Sequence, residues 1–321
     1  MQNAPDPALY PELQAQDSIW KARLALATRD FKRNWSLFLG ARIGVIGLVV
    51  IIFYALLAIA HPILMNFVWE ERIYDPVIGY SFDETRQPAP PSLSHPLGTD
   101  PLGRDILSQL MYSARSEFLL GLLAAVVTVT IGTTVGAVAA YFGGVVDMLL
   151  MRLADIMIMM PGISVLIVLS ALIGVEHFEL ALIIGVLSGF GGTGVVLKSQ
   201  ALSVVVKPYI EAARIAGGGS FHIIFVHVVP NLLPLSFLYM MFTVTGAIFS
   251  EAILSFLGLL DIRMSWGLMI HTTESAGYLL QVTEYWWLIF PASLSITLLC
   301  SSFYLVGRSL DEVINPRLRR A

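Results

Sequence analysis

The stretch Lys207-Pro-Tyr-Ile-Glu-Ala-Ala-Arg-Ile-Ala-Gly-Gly-Gly219, continuing through Ser220 to Pro230, decides how the rest of the chain is read. Pro208 suits the first position of a helix, where its missing N–H has no partner to lose. Glu211 then falls in the first turns, where the helix dipole favours a negative charge. Ala212, Ala213 and Ala216 are strong helix formers with almost no side-chain bulk. Gly217, Gly218 and Gly219 can end the helix in a left-handed conformation. Ser220 can cap a second short helix over Phe221–Val229, which Pro230 limits. The product is a short helix with one small face, which the cleft of another protein could close around. The plain alternative is a connector, but a connection of about 30 residues is usually functional.

This polar segment stands out because most of the chain is apolar. Of 321 residues, 56% are hydrophobic and 13% charged, and the mean hydropathy is +0.77. Soluble domains carry about 25% charged residues, so a water-soluble globule is excluded. Disorder needs the opposite composition. The single cysteine, Cys300, excludes a disulfide scaffold. A net charge of −4 gives no reason to expect nucleic acid. An all-α, polytopic membrane protein remains.

A helix needs about 20 mostly apolar residues to cross a bilayer. Six stretches qualify: 43–64, 118–140, 156–175, 180–197, 232–258 and 285–307. The fourth is rich in glycine, which permits close helix packing in membranes. With the N-terminus inside, 14 of the 19 basic residues fall on the inner side. The excess of Lys and Arg on that side predicts that both termini are cytoplasmic. Residues 1–34 are polar and the first apolar run lacks a small-residue cleavage site, so that run reads as a retained anchor. Domain organisation follows: 1–41 is a cytoplasmic tail and 42–318 a transmembrane domain. Within the tail, Trp20, Leu24, Ala27, Phe31 and Trp35 recur at steps of three and four among basic residues. That is the pattern of a basic amphipathic helix on membrane lipid, or of an ordinary basic flank.

The outer loop, 65–116, holds six prolines and an acidic centre from Glu70 to Glu84. Near its end stands His95-Pro-Leu-Gly-Thr-Asp-Pro-Leu-Gly-Arg-Asp105. Thr99 or Asp100 is the expected helix cap, with Pro101 in the first turn and Gly103 interrupting it. Asp100, Gly103, Arg104 and Asp105 are candidates for a gate at the outer mouth, or for a turn that sets the tilt of span two. Within the spans, Glu251 is the notable ionisable residue. Such residues are functional candidates by default. It lies roughly 28 Å along its helix from Leu232, near the outer edge where snorkelling is cheap. It either lines a pathway or makes a structural hydrogen bond.

Several chemistries are missing. None of the four lysines sits in a phosphate-binding loop, so the chain has no such site for ATP. The six histidines are scattered, and a spacing of five does not bring His222 and His227 to one face of an α-helix. No metal centre or catalytic set is expected. An ion-coupled secondary transporter is the rival class, against which the sparse intramembrane charges count, and no filter-like segment suggests a channel.

Tyr209-Ile-Glu-Ala-Ala-Arg-Ile-Ala-Gly217, continuing to Asn231, resembles the "EAA" loop of ABC importer permeases. Four further stretches carry the likeness: His95–Asp105 with Tyr112–Arg115; Tyr141–Asp147 with Met151–Asp155 and Pro161; Ser250–Leu259 with Ser265–Gly267; and Leu310–Leu318. The whole is similar to the C-type, MetI-like permease subunits of the dipeptide/oligopeptide/nickel branch. The resemblance implies a type I ABC importer permease fold with no enzymatic activity and no cofactor of its own. ATP and Mg would be bound by two partner ATPase subunits. Tyr209, Glu211, Ala212, Ala213, Arg214 and Gly217, on the EAA loop 199–230, would couple the chain to those ATPases. A homologous second permease and an extracytoplasmic substrate-binding protein would complete the importer. The implied cargo is di- or oligopeptide, with nickel, glutathione or oligosaccharide as alternatives.

Overall fold

The computed structural model describes residues 28–29, 32–33, 35–81 and 86–314. Most of the expected amphipathic segment, including Trp20, Leu24 and Phe31, lies outside them, as do 315–321 at the C-terminus. Among the described residues the fold is helical, with only two isolated β-bridges, Thr99 to Asp105 and Val175 to Leu260. Five helices are long and apolar enough to cross a membrane, six if the bent pair within 144–173 is counted as one broken span.

α1 covers Arg42–Phe67. It is apolar on all sides, as a lipid-exposed helix is. Ile46, Val49, Leu56 and Ile59 point away from the protein. Gly44 and Gly47 lie against Ser309 and the Ser302 carbonyl of the last helix.

α2 covers Ile106–Phe142, 37 residues and about 55 Å long at 1.5 Å per residue. It begins at Ile106 and not at Phe118, so the end of the expected outer loop is helical. Its cap is Asp105, whose carboxylate accepts from Ser108 N at 2.7 Å; Thr99 and Asp100 are not caps. α2 is the central column of the bundle because small residues let other helices approach it. A Cβ at Gly121 would meet Val244, one at Gly132 Thr193, and one at Gly136 the Lys198 backbone.

The expected third span is broken. α3, Gly144–Met159, and α4, Gly162–Ile173, meet at 79°. Pro161 has no N–H to continue the ladder and holds Met160 extended, with ψ 128. The fourth crossing runs His177–Val205 as α5, His177–Ser188, a π-type stretch Gly189–Thr193 with non-helical Gly191, and α6, Gly194–Val205. α7 is the short helix Pro208–Ile215.

The next crossing is continuous from Ser220 to Phe256. It opens with a turn at Ser220–His222 and a π-helix over Ile223–Val228, then becomes α8, Val229–Phe256. Pro230 does not end it. Pro230 removes one N–H just after the π-helix, where the hydrogen-bond ladder is already widened. The segment 199–230 is therefore largely helical. Two features were not expected: α9, Trp266–Ser275, and the extension of α10 over Trp286–Ile314. Ser265 caps α9 through Leu268 N at 3.2 Å.

The crossings alternate in direction, so loops collect at two ends. One end carries 68–105, Val175 and 257–285; the other carries 143 and 206–219. A cluster with Tyr54, Ile106, Trp266 and Trp287 fills the first end. One with Ala140, Leu197, Ile210 and Leu232 fills the second.

Candidate coupling helix, groove and mouth

The chemistry of α7 follows from its two faces. Lys207 is extended and Pro208 opens the helix. Ile210 has 0% exposure. It belongs to the buried cluster that holds Ala137 and Ala140 of α2, Leu197, Ala201 and Val204 of α6, and Ile223, Ile224 and Val228. Ala213, one turn on, is half-buried against the same cluster. Tyr209, Glu211 and Ala212 are exposed on the other side. Ile215 is 82% exposed. The six residues expected to meet ATPase thus divide. Tyr209, Glu211 and Ala212 face outward, Ala213 faces the bundle, and the Arg214 guanidinium lies 4.7 Å from the centre of the Tyr141 ring.

Gly217 ends the unit at φ +83. Gly217 N donates to Arg214 O and Gly218 N to Ala213 O, both at 3.0 Å. Those bonds satisfy carbonyls that the helix leaves free. Beyond the turn, the His222 and His227 rings approach to 5.7 Å. A spacing of five should separate them on an α-helix. The intervening residues form a π-helix, whose i to i+5 repeat brings them to one face. Among the described residues no group of three or more His, Cys, Asp and Glu could hold a metal ion.

A groove of about 430 Å³ opens between α4, α5 and α8. Its walls include Ile163, Leu166, Leu187, Ser188, Tyr239, Phe242, Gly246 and Ser250. The bend at Pro161 makes this groove, because it swings α4 away from the line of α3. Towards the 68–105 end a second, more polar cavity of about 500 Å³ is lined by Tyr112, Ser116, Glu176, His177, Asp261 and Arg263.

Glu251 follows Ser250 of the groove wall, and its surroundings differ from the expectation. It does not snorkel. It is fully buried and accepts a hydrogen bond from Ser255 Oγ. Glu117 of α2, also fully buried, is its acidic neighbour. Glu117 is hidden in the sequence because it falls between the outer loop, which ends at 116, and the uncharged run that begins at Phe118.

The His95–Asp105 motif forms a closed knot at the head of α2. Asp100 accepts from Leu102 N and Arg104 N at 2.9 Å, from Arg104 Nε at 2.7 Å and from Gln109 Nε2 at 2.9 Å, and forms an ion pair with the Arg104 guanidinium. Asp105 also meets His95 Nδ1 at 2.8 Å, and His95 Nε2 meets Ser81 Oγ at 3.0 Å. Gly103 has φ +81, and a Cβ there would meet the Tyr80 ring at 2.7 Å. All four mouth candidates, Asp100, Gly103, Arg104 and Asp105, are buried. Such a knot fixes the first turn of α2 and the tilt of the helix behind it.

A broken third crossing, a glycine-bounded helix at one end and an open groove define a helical membrane component of a solute transporter. Residues 132–320 match the family described as binding-protein-dependent transport system inner membrane component, and the chain belongs to that family. It is a multi-pass inner-membrane protein and a non-catalytic transport component. It is 31% identical over 92% of its length to the dipeptide transport system permease protein DppC of Bacillus subtilis strain 168, covering 86% of that protein. It is 33% identical over 94% of its length to the oligopeptide transport system permease protein OppC of Haemophilus influenzae, covering 90% of that protein.

Proposed function

We propose that the chain is the permease subunit of an ATP-driven, binding-protein-dependent importer of di- and oligopeptides. Its groove forms half of the translocation pathway, and a homologous second permease supplies the other half. Two ATPase subunits bind ATP and Mg, and an extracytoplasmic binding protein delivers the peptide. Both termini are cytoplasmic, as the bias of basic residues requires. Peptide cargo is supported by the peptide-transport relatives.

The observation that carries the coupling reading is the division of α7 into a sunken face at Ile210 and an open face at Tyr209, Glu211 and Ala212. A helix held from beneath and open above can enter a cleft and pass its displacement into the bundle. The His95–Asp105 knot serves the outer mouth by holding the head of α2.

The test is purification of the complex from cells carrying Glu211→Lys or wild-type chain. Wild type should retain two ATPase subunits and drive peptide uptake with ATP. Glu211→Lys should insert normally, lose the ATPases and lose uptake. Uptake driven by an ion gradient in vesicles without ATPase would overturn the proposal.

A further inference from the structure

We infer that Arg214 is a transmission residue that acts on Tyr141 of its own chain, and is not a contact for the ATPase. The inference rests on the coupling role proposed for α7.

Ile210, Ala213 and Arg214 stand at i, i+3 and i+4, so they share one face of α7. The first two sit in the cluster beneath the helix. Arg214, though itself solvent-exposed, lays its guanidinium over the Tyr141 ring at 4.7 Å. Among the described residues no carboxylate pairs with it; the neighbouring carboxylates Asp147 and Asp155 pair with Lys198 at 2.5 Å and Arg152 at 3.8 Å. A flat, weakly hydrated guanidinium stacks on an aromatic face better than an ammonium does.

The location of Tyr141 gives the contact its consequence. It is the penultimate residue of α2, which stops at Phe142 before Gly143 turns to φ +61. Tyr141 is therefore on the last rigid turn of the column that packs against α5, α6 and α8. Apolar packing at Ile210 resists a push on α7. The cation–π contact is attractive, so it also resists withdrawal. Displacement of α7 in either direction then reaches α2, and α2 borders the helices that line the groove.

The test uses the full complex, Cys300→Ser background, with Ser250→Cys on the groove wall as reporter. The reading is the ATP- and vanadate-induced change in its thiol-labelling rate. Arg214→Ala and Tyr141→Ala should each shrink that change about 2- to 5-fold, the factor for an exposed cation–π contact of ~0.5–1 kcal/mol. The double variant should be no worse than either single one. Tyr141→Phe, which keeps the ring, should match wild type. Every variant should retain its ATPases. Loss of ATPase from Arg214→Ala with retention in Tyr141→Ala would make Arg214 a docking residue and overturn the inference. Additive losses in the double variant would also overturn it. ATPase missing from the wild-type preparation would instead strike the coupling role of α7 itself.

Discussion

The indole Nε1 of Trp266 donates to the backbone carbonyl of Leu110 at 3.1 Å, joining α9 to the first turns of α2. Trp266 has no exposure, and the Tyr54 ring meets it edge-on at 5.4 Å. One side chain therefore ties three helices at the 68–105 end.

Trp266→Ala should destabilise the detergent-solubilised protein by about 3–5 kcal/mol, because it opens a cavity and leaves the Leu110 carbonyl with one partner fewer. Trp266→Phe keeps most of the volume and should cost less. Thermal unfolding read by tryptophan fluorescence and by circular dichroism orders the variants. Equal midpoints for Trp266→Ala and wild type would contradict the packing described.

Asp105→Ala removes the cap of α2 and the partner of His95 together. A lost cap alone costs about 0.5–2 kcal/mol. Asp105→Asn keeps an acceptor for Ser108 N and should lie between Ala and wild type. The same unfolding measurement, with proteolysis of the 68–105 segment as a second probe, separates the three.

Gly217 and Gly219 flank one turn but differ in backbone. Gly217 has φ +83 and Gly219 has φ −64. An alanine at Gly217 meets left-handed strain of about 1–2 kcal/mol, and one at Gly219 meets none. Gly219→Ala should leave ATP-driven uptake near wild type, and Gly217→Ala should reduce it while membrane insertion is unchanged. Equal uptake by the two variants would refute the turn geometry.

Topology is open to a direct test with single cysteines. Ser81, a natural choice in the outer loop, is 1% exposed and bonded to His95, so it is a poor probe; Thr85 lies outside the described residues. Leu93 is fully exposed at the 68–105 end and Ile215 is 82% exposed at the other. With Cys300 replaced, Leu93→Cys should label in intact cells and Ile215→Cys only after permeabilisation. The reverse pattern would place both termini outside.

The positions of Pro, Gly and the apolar runs pointed to the five long apolar helices and the short helix α7, while the third stretch, 156–175, fell across a bent pair that begins at Gly144. These signals are local: Pro208 starts a helix and Gly217 ends one wherever they fall. Boundaries were less legible. Ile106–Glu117 is polar enough to pass for loop, yet it is helix because Asp105 caps it and Trp266 covers it. Pro161 signalled a break only once its neighbours were seen to bend, since proline inside a membrane helix also occurs without one. Pro62 lies within continuous α1.

By itself, the sequence determined that the chain is a helical membrane protein with a polar, glycine-bounded elbow. Composition and spacing suffice for that, because the bilayer accepts few backbone solutions. Tertiary structure alone decided which residues meet. It set Glu117 beside Glu251 from helices more than a hundred positions apart, turned His222 towards His227 through a π-helix, and laid Arg214 over Tyr141. Those pairings depend on how helices cross and where their hydrogen-bond ladders widen, and neither is written in the local order of residues.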